Sequence, residues 1–454
     1  MKQMILSALD MSCVGFLAQG VWTHPRDRST NLNKLDYWLD YARLLERGLF
    51  DMLFIADAIG IYDVHGGSKD ASVRNGVQLP MNDPSSVISG MAAVTKNLGF
   101  GITGNLLYEP PYLFARRMST LDHLTGGRIG WNIVTGILSS GAKAMGRDFI
   151  VPHDERYEMA DEYLSLMYQL WEGSWDDGAV IADRKAHLFA DPAKVHVVKH
   201  QGKYFKLEAV HPCQPSPQRT PLLMQAGASG RGKQFAAENA ECVFVNGVSK
   251  TQIAATVADI RSRAVEVGRD PNSILVLAGA TVIVGRTEAE AREKMREYRS
   301  YADPEAVLAH ASGGLGVDLS KYPLDEPLRY EETDANRTSM EMFTRSKDRT
   351  YTPRQIAEEM ALSARNLVIS GSVDQVVAEL SEWISMTGID GFNIARLIMP
   401  DTLEDFVNLV VPALQERGLY KTQYRAGTLR EKLFGGTLPT LQAPHPAVRA
   451  RRSA

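Results

Sequence analysis

Apolar residues along the chain alternate between short continuous runs and longer stretches in which they recur every three to four positions. A short apolar run between turn residues is typical of a strand buried in a parallel sheet. Eight such runs follow one another, and helical stretches separate them. The predicted strands cover residues 4–9, 52–57, 101–106, 128–135, 221–226, 242–246, 274–284 and 392–399.

The longer stretches carry apolar stripes that predict amphipathic helices. The clearest of these helices cover 33–47, 112–124, 155–172 and 403–417. Three more begin at capping boxes, in which a Ser or Thr is followed three residues later by Gln or Glu. The three boxes are Ser249 with Gln252, Thr287 with Glu290, and Ser372 with Gln375.

Strands that alternate with helices indicate an α/β protein with a parallel sheet. Eight such units fit a TIM (β/α)8 barrel better than an open doubly wound sheet, which usually has fewer strands and a nucleotide-binding first turn. We predict one barrel domain over 1–440 and a flexible C-terminal tail over 441–454. Long insertions interrupt the repeat near 58–98, 174–220 and 300–371, and the middle insertion contains a predicted hairpin over 194–207.

The composition is that of a soluble globular protein, with 44% hydrophobic and 23% charged residues. A net charge of −4 gives no reason to expect nucleic acid or a membrane surface as a partner. No apolar run approaches the ~18 residues that span a bilayer, and the N-terminus is typical of a first strand rather than a secretory signal. The three cysteines are far apart, which argues against a disulfide framework or structural zinc. We therefore expect a cytoplasmic protein.

The turn after the fifth predicted strand is rich in glycine and opens a helix. Gly227, Gly230 and Gly232 allow the backbone to approach a ligand, and the free N–H groups at the start of the helix attract an anion. Ser229 adds a hydroxyl and Arg231 a guanidinium. The pattern indicates a phosphate-binding turn, although its spacing is not that of the dinucleotide fingerprint. A plain strand-to-helix turn that needs small residues explains the glycines equally well.

In a TIM barrel, functional groups lie at the carboxyl ends of the strands. Asp57 ends the second predicted strand, where its carboxylate can accept from a hydroxyl or a ring N–H, or cap the next loop. Asn132 and Thr135 suit hydrogen bonds to a ring carbonyl, or internal hydrogen bonds of the barrel. Tyr157, near the start of a helix, either reaches a ligand or packs in the core.

Two further residues are candidates for contact with a ligand. Tyr62 follows Asp57 closely, and a packed tyrosine is the alternative. His310 lies in a glycine-rich stretch, which indicates either a mobile loop that closes over a site or an ordinary exposed loop. The sequence contains neither His-Glu-x-x-His nor Gly-x-Ser-x-Gly, so it supports no metal site and no hydrolase of that kind.

Five segments spread over most of the chain resemble the bacterial luciferase-like flavin monooxygenases. The resemblance is strongest to the branch that contains nitrilotriacetate, dibenzothiophene-sulfone and long-chain alkane monooxygenases. The segments are 45–57 (LERGLFDMLFIAD), 115–135 (ARRMSTLDHLTGGRIGWNIVT), 153–163 (HDERYEMADEY), 215–221 (PSPQRTP) and 225–232 (QAGASGRG). Together they are far more specific than any one of them.

The resemblance implies a barrel that binds reduced FMN supplied by a separate NAD(P)H:flavin reductase. It also implies that O₂ adds to the flavin to give a C4a-hydroperoxide, which oxygenates a small organic substrate where water is excluded. A homodimer or homotetramer is expected on the same ground. The FMN contacts that the resemblance implies are Asp57, Thr135, Gly136, Tyr157, Ala226, Gly227, Ala228, Ser229 and Arg231. The strand pattern adds Asn132 to these expected contacts.

Within this interpretation, Tyr62 and His310 are the expected hydrogen-bond donors to the hydroperoxide. Cys13, Phe16 and Ile137 are expected to line the substrate pocket. Phe16 and Ile137 stand where a relative in the same branch has histidines, so an apolar or sulfur-containing substrate is expected.

Two other functions remain open. A related barrel oxidoreductase would transfer hydride with a deazaflavin, and a non-catalytic barrel would only bind flavin or phosphate. The long insertions match the monooxygenase branch better than the deazaflavin enzymes. Product formation that depends on O₂ separates the monooxygenase from both alternatives.

Overall fold

Strands and helices alternate from the first strand to the last quarter of the chain. The computed structural model describes residues 3–227, 229–333, 337–345 and 350–452. The strands are β1 Ile5–Met11, β2 Met52–Ala56, β3 Gly99–Asn105, β4 Ile129–Val134, β5 Val180–Asp183, β6 Leu188–Ala190, β7 Val198–Gln201, β8 Lys206–Ala209, β9 Leu222–Gln225, β10 Cys242–Val245, β11 Leu275–Gly285, β12 Leu367–Ser372 and β13 Gly391–Ala395.

Helices of different lengths lie between these strands. The α-helices are α1 Leu35–Arg47, α2 Asp70–Asn75, α3 Ser85–Ala93, α4 Pro111–Thr125, α5 Ser139–Ala144, α6 His153–Gly173, α7 Gly230–Asn239, α8 Lys250–Glu266, α9 Glu288–Ser300, α10 Pro304–Leu315, α11 Arg337–Arg345, α12 Pro353–Met360, α13 Val373–Thr387, α14 Asp401–Asp405, α15 Val411–Glu416 and α16 Leu429–Phe434. A π-helical segment, Phe406–Val410, joins α14 to α15.

Eight parallel strands close into a barrel, as the sequence predicts. Their order around the barrel is β1, β2, β3, β4, β9, β10, β11 and β13, and β13 pairs with β1 to close the ring. The predicted TIM barrel is therefore confirmed. A ninth strand, β12, was not predicted. It pairs with Ala280–Gly285 in the second half of β11, which continues beyond the last residue paired with β13, Thr281.

Alternation along each barrel strand produces two apolar layers. In β1, Ile5 and Leu9 point into the barrel, while Leu6 and Ala8 pack against the surrounding helices. Phe54 and Phe244 stack across the interior with their ring centroids 4.5 Å apart. The barrel is thus filled by side chains, and a ligand must bind at one of its ends.

Helix α16 closes the end of the barrel where the strands begin. Leu429 packs into the interior cluster with Ile5 and Leu222. Arg430 forms a bidentate ion pair with Glu241, at 2.6 and 2.9 Å, and both side chains are buried. The opposite end, where the strands finish, remains for a ligand.

The insertions and the C-terminus have more structure than the pattern predicts. The 174–220 insertion holds the expected hairpin, as β7 and β8, and a second hairpin, β5 and β6. The expectation of a flexible tail is wrong for residues 441–452, which pack against α6, while residues 453 and 454 lie outside the described part. His445 and Ala447 are buried there, and Arg451 forms an ion pair with the buried Glu172.

Candidate active site

A cavity of about 520 Å³ lies at the carboxyl ends of β2, β4 and β9. Nine of the residues predicted from the sequence line it. They are Asp57, Thr135, Gly136, Ile137, Tyr157, Ala226, Gly227, Ser229 and Arg231. Ala228 lies outside the described residues.

The turn between β9 and α7 forms one end of this cavity. Ser229 is the N-cap of α7, and its hydroxyl accepts a hydrogen bond of 3.0 Å from the N–H of Gly232. The neighbouring N–H groups of the first helical turn have no partner within the helix, so they and the helix dipole favour an anion at this point. Local sequence alone produces this geometry, because a serine cap needs only the three residues that follow it.

Tyr157 of α6 covers the same turn. Its phenol lies next to the side chains of Ser229 and Gln225, and its ring meets Phe235 edge-on with the centroids 5.7 Å apart. A Cβ atom on Gly232 would lie 2.7 Å from the phenol oxygen, so this approach requires glycine. Burial raises the pKa of Tyr157, which keeps the phenol neutral.

Arg231 supplies the positive charge at this end of the cavity. Its guanidinium lies 5.4 Å from the centre of the Tyr157 ring and forms an ion pair with Asp161. The side chain is 31% exposed, so it can turn toward a ligand without crossing the core. A phosphate would compete with Asp161 for the same donors.

The segment after β4, the strand that pairs with β9, forms another wall of the cavity. Gly136 has a φ of 71°, and a Cβ atom there would lie 2.8 Å from Nδ2 of Asn105. The buried Arg156 donates to the carbonyl oxygen of Gly136 and fixes this backbone. Sequence reasoning missed Arg156, although it stands directly before Tyr157.

Asp57 brings a carboxyl group to this cavity directly after β2. Its pKa is raised to about 7, mainly by burial, with the Ala58 N–H lowering it and the charges of Asp83 and Glu109 adding to the rise. Among the described residues, no lysine, arginine or histidine forms a salt bridge with it. The carboxyl therefore changes its charge near neutral pH, which suits contact with a polar ring edge or transfer of a proton.

Gln225, the last residue of β9, is a site residue that the sequence prediction overlooked. It is buried and lines the cavity, and its Oε1 has no hydrogen-bond partner among the described residues. A Cβ atom on Gly227 would lie 2.3 Å from its Nε2, so the glycine leaves room for the amide. Gln225 carries the same signal that indicates Asp57, namely a polar residue at the end of an apolar strand.

Asn132 does not line the cavity, contrary to the expectation for a flavin contact. Its side chain is buried inside the barrel, where Nδ2 donates a hydrogen bond of 3.0 Å to the hydroxyl of Thr103. The residue precedes the end of β4 by two positions and therefore lies one layer below the cavity floor. Asn132 therefore forms an internal hydrogen bond of the barrel, which was the alternative to a flavin contact.

Tyr62 and His310 lie together, with their ring centroids 5.1 Å apart. Nε2 of His310 is 3.1 Å from Nε2 of Gln78, so the imidazole nitrogen accepts and the ring proton resides on Nδ1. That Nδ1 is buried without a partner among the described residues. Burial lowers the pKa of His310 to about 4, so the ring is a neutral donor at pH 7.

The glycine-rich stretch around His310 is the second half of α10, so the expectation of a loop is wrong there. Ala and Leu residues before it favour a helix, and Gly316 ends the helix with a φ of 71°. A Cβ atom on Gly313 would lie 2.3 Å from the ring of Tyr62, which explains a small residue at this position. Tyr62 also packs with Ala58 and Leu138, two residues that line the cavity.

The three expected substrate-pocket residues occupy two different places. Cys13 and Phe16 belong to the interior cluster of the barrel, and the guanidinium of Arg396 lies 5.8 Å from the Phe16 ring. Ile137 instead lines the cavity and is 40% exposed. The structure therefore does not bring all three into one pocket, because Phe16 lies over β1 while Ile137 follows β4.

Comparison with known proteins now assigns the family. The family described as luciferase-like monooxygenase matches residues 12–391. The chain belongs to the luciferase-like monooxygenase family. This membership confirms the predicted family and the predicted enzyme class.

Members of the family resemble this monooxygenase over nearly its whole length. Dimethyl-sulfide monooxygenase of Hyphomicrobium sulfonivorans is 46% identical over 451 residues, covering 99% of this chain and 94% of the relative. Long-chain alkane monooxygenase of Geobacillus thermodenitrificans is 46% identical over 452 residues, covering 99% and 98%.

Solved structures of the family have the same fold. The crystal structure of long-chain alkane monooxygenase gives a TM-score of 0.93, with 46% identity and coverage of 99% of this chain and 100% of that chain. A riboflavin lyase solved with modified FMN and riboflavin gives a TM-score of 0.94, with 36% identity and full coverage of both chains.

The cavity of this monooxygenase fits a flavin mononucleotide on two observations. The first is the turn from Ser229 to Gly232, where a Cβ atom on Gly232 would fill the space and the free N–H groups at the start of α7 favour an anion. The second is the unpartnered Oε1 of Gln225, an acceptor suited to a ring N–H. Over the described ranges, no cluster of metal-ligating side chains is found, and no helix is long and apolar enough to span a membrane.

Proposed function

We propose that this protein is a two-component monooxygenase that uses reduced FMN and O₂ to oxygenate a small organic substrate. The observation that carries the proposal is that an anion-binding turn and the Asp57 carboxyl line the same cavity. The overall reaction is substrate + O₂ + FMNH₂ → oxygenated substrate + FMN + H₂O. Reduced flavin supplies the two electrons that activate O₂. The family resemblance implies that O₂ would react at the C4a carbon of the flavin.

The phosphate of FMN would be held by the start of α7. Ser229 and the free N–H groups provide hydrogen-bond donors, and Arg231 provides a charged donor. Tyr157 packs over this turn and fixes its shape through Ser229. The chain thereby orients the cofactor by its anionic end.

The ring system would lie between the Thr135–Gly136 segment and β9. Arg156 holds the Gly136 carbonyl in place, so this wall is rigid before the flavin binds. Gln225 offers a carbonyl oxygen to a ring N–H. Asp57 offers a carboxyl that is either a donor or an acceptor near pH 7.

Exclusion of water is the second task of the protein, because activated oxygen on a flavin is lost to water as hydrogen peroxide. Leu138 and Ala58 line the cavity and pack against Tyr62, and α10 packs behind Tyr62. We propose that Tyr62 and His310 donate hydrogen bonds to the reacting oxygen. The neutral His310, with its proton on Nδ1, is suited to this role.

The substrate is proposed to be apolar or sulfur-containing. Two similar proteins are named for dimethyl sulfide and for long-chain alkanes, and a third, 37% identical, for dibenzothiophene sulfone. The apolar Ile137, which lines the cavity, supports such a substrate. A separate NAD(P)H:flavin reductase and a homodimeric or homotetrameric assembly in the cytoplasm are parts of the same proposal.

Isotope labelling tests this function. The purified protein is supplied with a flavin reductase, NADH, FMN and ¹⁸O₂, and dimethyl sulfide, alkanes and aromatic sulfones are offered in turn. We expect one substrate class to gain a single ¹⁸O atom in a reaction that stops when FMN is omitted. Oxygen-independent reduction of substrate, or flavin binding with no turnover of any class, would contradict the proposal.

A further inference from the structure

A second cavity, of about 460 Å³, adjoins the first from the side of the helix layer. It lies between the carboxyl ends of β2 and β3 and the helices α3 and α4. Asp83 lies at its exposed end, while Glu109 and Arg117 are half-buried along its wall. We call this cavity the side channel.

The two cavities share one wall. Asp57, Ala58, Ile59 and Asn105 line both of them. Of these four residues, only Asp57 can gain or lose a proton. A carboxyl in this position faces the proposed flavin site on one side and a polar channel on the other.

The channel places acidic groups between Asp57 and solvent. Asp83 accepts hydrogen bonds from the N–H and the hydroxyl of Ser85, at 2.8 and 2.7 Å. Glu109 forms an ion pair of 2.6 Å with Arg117. Hydrogen-bonding side chains with room for water between them allow a proton to move, whereas the apolar barrel core does not.

Burial and the neighbouring charges bring the pKa of Asp57 close to neutral, so its carboxyl can take up and release a proton there. Its pKa is raised to about 7, mainly by burial and to a smaller extent by the negative charges of Asp83 and Glu109. The buried thiol of Cys13 also interacts with it. On the other side, the ionisable groups that line the flavin cavity are His153, Asp154, Arg156, Tyr157 and Arg231.

The overall reaction needs a proton from outside the site when the reduced flavin is anionic. The balance is substrate + O₂ + FMNH⁻ + H⁺ → oxygenated substrate + FMN + H₂O. The O–O bond breaks, one oxygen atom bonds to the substrate, and the other leaves as water with the flavin hydrogen and this proton. A closed site must therefore admit a proton without admitting bulk water.

We propose that the side channel is a proton path and that Asp57 is the carboxyl that passes the proton from it into the flavin site. The inference rests on the proposed function. Glu109 and Asp83 act through Asp57 and are positioning residues in this scheme.

The first test uses the protein without flavin. Infrared difference spectra between wild type and Asp57→Asn, recorded over a range of pH, report the protonated carboxyl. We expect a midpoint near pH 7. Glu109→Gln and Asp83→Asn should move it to lower pH, because each removes a negative charge that favours the protonated form. Glu208→Gln, on the exposed β8 strand, is the matched control and should leave the midpoint unchanged. An unshifted midpoint in both channel variants would overturn the role of the channel.

The second test uses the enzyme with bound reduced FMN and substrate. Asp57→Asn should slow product formation in rapid mixing with O₂ by roughly 10²-fold or more and remove its pH dependence, as expected for loss of a general acid. Glu109→Gln should retain a pH profile with a lower midpoint. An Asp57→Asn enzyme that binds FMN and keeps the wild-type profile would overturn the proton path, while the proposed function would stand. A wild type that binds reduced FMN but forms no product would instead overturn the proposed function.

Discussion

Tyr157 and Gly232 approach so closely that a Cβ atom on the glycine would lie 2.7 Å from the phenol oxygen. The contact ties α6 to the first turn of α7, where the phosphate of a flavin is proposed to bind. The proposed anion site is therefore formed by two helices, α6 and α7, whose contacting residues are distant in sequence.

Gly232→Ala is expected to weaken FMN binding while leaving the fold intact. The added methyl group must displace Tyr157 or Ser229, at a cost of about 1–3 kcal/mol. If the displaced turn loses a charge-assisted hydrogen bond to the phosphate, of about 1.5–3 kcal/mol, the dissociation constant measured by flavin fluorescence should rise roughly 10- to 150-fold. Gly436→Ala is the control, since a Cβ atom there meets nothing within 4 Å. Equal FMN affinity in the two variants would contradict the proposed position of the phosphate.

Arg231→Ala is expected to weaken the binding of FMN but not that of riboflavin. Loss of a charge-assisted hydrogen bond to the phosphate should weaken FMN binding by about 1.5–3 kcal/mol, whereas riboflavin, which has no phosphate, should bind as before. Titrations of both flavins measure the difference. Arg354→Ala, which removes an exposed ion pair with Asp325, should change neither affinity. If Arg231→Ala leaves FMN binding unchanged, the guanidinium does not hold the phosphate.

Arg430→Met is expected to destabilise the barrel strongly. It leaves the buried carboxylate of Glu241 without its bidentate partner, which typically costs about 3–5 kcal/mol. The free energy of unfolding in urea measures this loss. The double variant Arg430→Met with Glu241→Gln should recover part of it, because no buried charge remains. A loss no larger than that of Arg354→Met would show that α16 does not close the barrel.

His445 should make stability depend on pH. Its Nδ1 accepts from the N–H of Ala447 and its Nε2 donates to the carbonyl oxygen of Asn239, so the folded state holds the ring neutral. Burial lowers its pKa to about 4, below the usual 6.5. The unfolded state then binds more protons as the pH falls from 6.5 to 4, and unfolding becomes easier by about 3 kcal/mol at pH 4.

The measurement for His445 is the free energy of unfolding across this pH range. In His445→Gln the decline should be smaller than in wild type, because one titrating group is gone. The exposed His187 offers a control, since His187→Gln should leave the slope unchanged. Identical slopes in wild type and His445→Gln would contradict the packing of the tail.

Local features of the fold were predictable from sequence, and distant contacts were not. The capping box of Ser372 and Gln375 forms with both of its hydrogen bonds. At Thr287 only half of the box forms, since Glu290 accepts from the N–H of Arg286 instead. The pairing of Arg430 with Glu241 joins residues 189 positions apart, and no local pattern indicates it.

The residues of the candidate site also fall into those that local sequence predicts and those that depend on contacts between distant parts of the chain. The Ser229 turn follows from its own sequence, because glycine and serine have fixed effects on a helix start. His310 was misplaced because glycines usually indicate a loop, whereas here they make room in α10 for the ring of Tyr62. Gln225 could have been found by applying to β9 the strand-end argument that selected Asp57. Nothing local distinguishes the buried Arg156 from an exposed arginine in the first turn of any helix.

Rapid mixing tests the central claim most directly. The protein is first loaded anaerobically with chemically reduced FMN and then mixed with O₂, while the flavin absorbance is followed. We predict a protein-bound flavin species that forms in proportion to O₂ and long outlives the oxidation of free reduced FMN, and that decays faster when the correct substrate is present. Flavin oxidation at the rate of free FMNH₂, with no bound species, would contradict the assignment of this chain as a reduced-FMN monooxygenase.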